Sequence, residues 1–212
     1  QGTYKEILPN DELKDFVHSF WLHINNTNKR EKITIVPDSY FKIVLRLKNN
    51  KIISYFMTGM WLAEKEVTFA PNTTTVGIRL KILAPEFLFN KEVASILQNY
   101  YQLNLDFLNV DKFDLSSFEN IVDQFQKELL KIKPLKTIQG NKLRLSQLLD
   151  KENGDITATE ISNQIYWTNR QINRYLNKYI GVSLKKYLNI QKCYQSYIQI
   201  RNGNFYPDKG FF

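Results

Sequence analysis

The sequence predicts an α+β chain: an antiparallel β sandwich or barrel first, helices after it, and an all-α part at the end. Segments of strand period follow one another through roughly the first 85 residues, and helical stripes replace them after Pro85. The 212 residues are 43% hydrophobic and 14% aromatic, enough to bury a sizeable core and outside the range of disordered chains.

Each element follows from a local pattern. "NDELKDFVHSF" (Asn10–Phe20) reads as a short helix, with Asn10 as its cap and Leu13, Phe16, Val17 and Phe20 on one face. "FWLHIN" and "KITIV" read as strands, the latter running into the turn signal Pro37-Asp38. "YFKIVLRLK" alternates, with Phe41, Ile43, Leu45 and Leu47 on one face and Lys42, Arg46 and Lys48 on the other. "IISYFM" and "TTTVGIRLKI" are further strands, separated by breaks at Gly59 and "APNT". Helices are expected at "KEVASILQNYY" and "SSFENIVDQFQKELLK", the second opening with Ser116 and Glu119 at capping-box spacing. "KIKPLKTIQG" contains Pro134 and marks a boundary, giving a β-rich domain at 1–132 with trailing helices and a helical domain at 133–212.

Charge divides along the same line. Residues 1–132 hold 16 Lys+Arg and 16 Asp+Glu, whereas 133–212 hold 13 and 5, so the whole net charge of +8 belongs to the second part. That asymmetry points to a polyanion partner for the helical part. No apolar run approaches the roughly 18 residues of a membrane span. Cys193 is the only cysteine, which rules out an internal disulfide and fits a cytoplasmic protein. His18 and His23 alone are too few ligands for an ordinary zinc site, so no metal or cofactor is expected. No Ser-His-Asp arrangement or Gly-rich phosphate loop stands out, which speaks against an enzyme.

The densest signal lies between Gly154 and Gly203. Thr157 and Glu160 form one capping box, opening a helix that buries Ile161 and Ile165; Thr168 and Gln171 form a second, after the break "IYWT". The second helix turns Ile172, Tyr175 and Leu176 inward and can end at Gly181. Two short helices joined by a tight turn make a helix-turn-helix pattern. Arg170, Asn173 and Arg174, at i, i+3 and i+4, share a face near the start of the second helix. Arg can fork onto guanine and Asn can pair with adenine, so these three are candidate base contacts. Asn169, Asn177 and Lys178 are candidate phosphate contacts.

From Ile156 to Ser183 this stretch resembles the first helix-turn-helix of AraC-type (AraC/XylS) transcription regulators. The supporting residues are "T-x-R-Q-I-x-R-Y", "G-V-S", "K-K-Y-L" and a long helix ending "R-N-G". The resemblance implies base-contacting roles for Arg170, Asn173 and Arg174. It also implies a linker helix at 183–202 capped by Ser183, with Tyr187, Ile190, Tyr194, Tyr197 and Ile198 inward. "ILPNDELKDFVHSFW", "VPDSYFKIVL" and "TVGIRLKILAPEFLF" resemble the uncharacterised companion domain of some such regulators, implying a cupin-like β domain for effector sensing or dimerisation. Two residues depart from the pattern: Tyr166 stands where the family has a turn glycine, and Leu184 where it has proline. The closing "NFYPDKGFF" resembles the approach to a second helix-turn-helix, which is expected to be cut off.

The resulting expectation is a sequence-specific regulator that binds double-stranded DNA, with a small-molecule effector and a second copy of the chain as further candidate partners. The alternative is a small-molecule- or protein-binding module whose basic tail does not read DNA. Trp21, Tyr40, Phe56 and Trp61 are aromatic candidates for an effector pocket, against the more ordinary reading of core packing.

Overall fold

A computed structural model describes residues 2–132 and 138–204 of the chain. The boundary expected at Pro134 and the unfinished unit expected towards Phe212 lie outside these residues.

The described residues form eight strands: β1 (Thr3–Ile7), β2 (Val17–Asn25), β3 (Glu31–Ile35), β4 (Phe41–Lys48), β5 (Lys51–Thr58), β6 (Lys65–Phe69), β7 (Thr73–Leu80) and β8 (Tyr100–Gln102). Six form one antiparallel sheet in the order β1-β2-β7-β4-β5-β8, and β3 pairs with β6 as a separate two-stranded sheet. Six helices are interspersed or follow: α1 (Ala84–Phe87), α2 (Phe118–Ile132), α3 (Gly140–Glu152), α4 (Ala158–Ile165), α5 (Asn169–Tyr179) and α6 (Leu184–Arg201). The chain is therefore α+β, with antiparallel sheets followed by helices.

The alternation of β4 explains how the layers form. Phe41, Ile43, Leu45 and Leu47 are all buried, and they join one contiguous apolar core that runs through Ile78 and Phe125 to Leu149 and Tyr187. Strands and helices from both parts of the chain thus share this core. The opposite face of β4 does not look into solvent as its charges suggest: Lys42 and Val44 are buried and Arg46 is largely covered. The β3–β6 pair lies over that face, where Phe69 of β6 packs on the His23 ring at 4.1 Å. The Asn25 side chain ties the layers by donating to the carbonyls of Phe69 and Ala70.

Two helices expected from sequence form only in part. In the Asn10–Phe20 stretch Asn10 does cap a turn, accepting from the Leu13 amide, and Leu13 and Phe16 are buried. From Val17 onward the backbone instead pairs with β7, and the Lys81 amide donates to Phe16. Sheet pairing outcompetes helix in a segment rich in aromatic and β-branched residues. In "KEVASILQNYY" only a 3-10 turn at Ala94–Ile96 survives. Its donors are drawn to distant partners: Val93 N–H to Tyr179, Gln98 N–H to Met60, and Tyr100–Gln102 to β5. The cap expected at Ser116 sits one residue later, where the Ser117 hydroxyl accepts from the Asn120 amide.

A buried charge cluster sits where the sheet meets α6. The Asp38 carboxylate accepts from Lys42 Nζ at 2.7 Å and from Arg79 Nε at 3.2 Å, and Arg79 also pairs with Glu6 at 2.8 Å. Burial alone would raise the Asp38 carboxyl, but Lys42 and Arg79 outweigh it and hold the group below its ordinary value. Nearby, His18 stacks on Tyr40 at 4.4 Å, with Nδ1 3.1 Å from the Tyr40 hydroxyl. His18 sits at the register break between Val17 and Ser19 and keeps to Tyr40, whereas His23 pairs with Glu31.

Burial, followed by the positive charges of Arg79 and Lys81, pushes His18 down from 6.5 to about 4. Between those values the unfolded chain binds a proton that the folded one refuses. Stability must therefore fall as pH is lowered through this window, by up to about 1.4 kcal/mol per pH unit from this group. Urea midpoints measured across the window should show this slope, and His18→Gln should flatten it; an unchanged slope would exclude His18 as its source.

Candidate functional site

Helices α4 and α5 form as their capping boxes dictate. The Thr157 hydroxyl accepts from the Glu160 amide while the Glu160 carboxylate accepts from the Thr157 amide, and Thr168 and Gln171 repeat the arrangement. Ile161 and Ile165 of α4 and Ile172, Tyr175 and Leu176 of α5 are buried against one another and the shared core. Gly181 takes φ +91° and bonds back to the Leu176 carbonyl, ending α5 in the left-handed region that glycine enters without penalty. Ser183 caps α6 by accepting from the Lys186 amide.

These caps fix which side chains of α5 point outward. Arg170 and Arg174 are exposed, one turn apart, and neither guanidinium pairs with a carboxylate among the described residues. Asn169 and Asn177 are also exposed. Asn173 is not free in the same way. Its amide donates to the Asn169 carbonyl at 2.8 Å, and its oxygen accepts from the Leu184 amide at 2.9 Å. It therefore fastens the start of α6 to α5, and the arginine pair is left as the open part of the predicted face. Lys178, the third expected phosphate contact, lies 3.8 Å from Glu92. Lys185 and Lys186 are exposed on the first turn of α6, the turn that the bond between Asn173 and Leu184 ties to α5. Nothing local in the sequence shows where the first turn of α6 docks, so no role for these two lysines follows from it alone.

On α6 the buried stripe runs through Leu184, Tyr187, Leu188, Ile190, Gln191 and Ser196. Tyr187 and Ile190 match expectation, but Tyr197 is exposed. Helix α3 and the C-terminal end of α5 are held against the sheet part by Lys81–Asp150 and Lys142–Glu86, both at 2.6 Å, and by the Val93 bond to Tyr179. The N-terminal half of α5 stays open.

A second feature lies between the sheets. A cavity of about 360 Å3 is walled on one side by the face of β4 bearing Lys42, Val44 and Arg46, and on the other by Ile35, Val67 and Phe69 of the two-stranded cover. Of the four aromatic candidates, Trp21, Phe56 and Trp61 line it. Tyr40 lies elsewhere, stacked on His18. Among the described residues no group of three or more His, Cys, Asp or Glu is placed to hold a metal ion, and no helix is long and apolar enough to cross a membrane.

Residues 5–102 match a family described as a domain of unknown function (DUF6597). The match covers just under half of the chain, starting inside β1 and ending on the last residue of β8. No curated protein matches the sequence. Among solved structures, ToxT from Vibrio cholerae with a bound unsaturated fatty acid is similar at 11% identity and a TM-score of 0.46, covering 88% of this chain and 82% of that one. ToxT bound to a methylnaphthalenyl-butenoic acid aligns at 14% identity and a TM-score of 0.36, over 97% and 85% of the two chains.

Tyr166, in the turn between α4 and α5, takes φ 56° and ψ 36° with its side chain 84% exposed. A side chain in this region costs roughly 1–2 kcal/mol, and an exposed ring recovers little of it by packing. Tyr166→Gly should therefore stabilise the fold by about 1 kcal/mol, offset in part by the freer unfolded chain. A thermal melt that moves down instead would show that the ring contributes more than its exposure suggests.

Proposed function

We propose that this chain is a sequence-specific DNA-binding transcription regulator, not an enzyme, working without a cofactor in the cytoplasm. Helix α5 enters the major groove, and the sheet part serves effector sensing or dimerisation. The carrying observation is the exposed pair Arg170 and Arg174, without a carboxylate partner among the described residues, on the first turns of the second of two helices that each open with a capping box. Arginine forks match guanine O6 and N7, and the early turns of such a helix are the ones that reach base edges. Asn169 next to Arg170, and Lys185 and Lys186 on the first turn of α6, are exposed and suit phosphates. The confinement of the net positive charge to this part of the chain supplies the non-specific attraction.

The test is a selection from random duplexes followed by titration of labelled DNA at two salt concentrations. A regulator binds with a steep salt dependence and enriches a defined sequence. Arg174→Ala should cost on the order of 1–3 kcal/mol on that sequence and relax the preference at one base position. Lys186→Ala should weaken all duplexes alike and flatten the salt slope by about one. Binding that is equal on every duplex, or absent throughout, would favour the binding module with a basic tail.

A further inference from the structure

The cavity between the two sheets has an unbalanced chemistry that core packing does not explain. Strand register places its floor in three rows. One runs Gln102–Phe56–Val44–Gly77–Trp21, the next Ser54–Arg46–Thr75–His23, and the third Tyr100–Thr58–Lys42–Arg79. From Phe56 to Trp21 the first row is apolar, with Gln102 at its exposed end. Its flatness depends on Gly77, because the Trp21 indole lies across this residue, and a Cβ there would meet the ring at 2.1 Å. Val67 and Phe69 close the space from above.

Polar and charged side chains are interspersed through the lining, and four buried polar atoms among them lack partners. Lys42 is occupied by Asp38 and the Tyr40 carbonyl. Lys65 sits at the edge, 3.9 Å over the Trp61 ring. Arg46 is different. Its guanidinium lies over Phe56 at 5.3 Å and Phe69 at 5.9 Å, its buried Nε has no hydrogen-bond acceptor, and no carboxylate pairs with it among the described residues. The Thr58 and Thr75 hydroxyls and Trp21 Nε1 are likewise buried without a partner. No acidic residue lines the space. Buried polar groups are ordinarily satisfied, and a covered guanidinium without a counter-charge is costly. Four such groups converging on one apolar cavity describe the complement of a molecule.

We propose that this cavity binds a small apolar carboxylate, with its acid group against Arg46 and the neighbouring hydroxyls and its ring or chain between Trp21, Phe56 and Phe69. A carboxylate accepts bidentate hydrogen bonds from a guanidinium, and the aromatic walls take up the rest of the molecule. The volume equals that of about twelve waters, which sets the occupant at around ten to fourteen non-hydrogen atoms. This names the effector class in the proposed regulator, yet it rests on the sheet part alone and stands whether or not α5 reads DNA.

Decanoate, naphthoate and indoleacetate, each paired with its neutral primary amide, are the probes; Trp fluorescence and calorimetry on the whole chain give the affinities. At least one carboxylate should bind one-to-one and be preferred over its amide by about tenfold or more, the range of a charge-assisted hydrogen bond. Arg46→Gln should abolish that preference while leaving amide binding in place, and Arg46→Lys should restore part of it. Val44→Trp, which fills the floor, should abolish binding of both forms. If Arg46→Gln does not fold, the preference in the unaltered protein decides alone. Equal affinity for acid and amide would overturn the proposal in favour of a neutral ligand. Failure of every carboxylate to bind below millimolar concentration would overturn it outright. Neither result would touch the DNA-binding reading, which is scored on duplex titration.

Discussion

The Asp38 carboxylate is the constraint on which much of this architecture turns. It is buried, and a buried charge survives only when neighbours neutralise it. Lys42 supplies this from β4 and Arg79 from β7, while Arg79 reaches on to Glu6 beside β1. Three strands are thus locked at one end of the sheet through one side chain that lies in a loop. Tyr187 and Tyr194 of α6 lie close enough to this cluster for its charges to bear on their hydroxyls, so α6 packs beside the same node. Breaking a buried pair from one side costs about 3–5 kcal/mol, more than most single apolar contacts here can supply.

Much of the fold was legible because local pattern and final environment agree. The boxes at Thr157 and Thr168 are closed by residues three positions away, so their geometry is written in sequence order. The alternation of β4 likewise predicts its core face. What failed was decided at long range. Val17 could not announce that it would pair with Leu80, nor Val93 that its amide would be taken by Tyr179. The Leu184 amide that donates to the Asn173 oxygen likewise lies beyond the end of that residue's own helix, out of reach of any local pattern.

The charged face of β4 carries a related lesson. Lys and Arg alternating with apolar residues ordinarily mark a strand with one wet side. Here a short pair, β3 and β6, crosses that side, and β6 gave too weak a strand pattern to be foreseen. The same two charges then mean different things. Lys42 becomes structural through Asp38, whereas Arg46 is covered by aromatic rings and left without a counter-ion.

The stretch from Val93 to Tyr100 touches both halves of this molecule. Its first amide is bonded to the last turn of α5; Gln98 and Asn99 are bonded to Met60 and Gly59 at the end of β5; Tyr100 borders the cavity beside Thr58. Eight residues span at most about 29 Å, which sets the limit on how far its two ends can part. If occupancy of the cavity changes the affinity of α5 for a partner by some factor, occupancy of α5 must change the cavity's affinity by the same factor. This strap joins the two surfaces through its own backbone and one hydrogen bond to α5, and thermodynamic reciprocity makes it readable from either end.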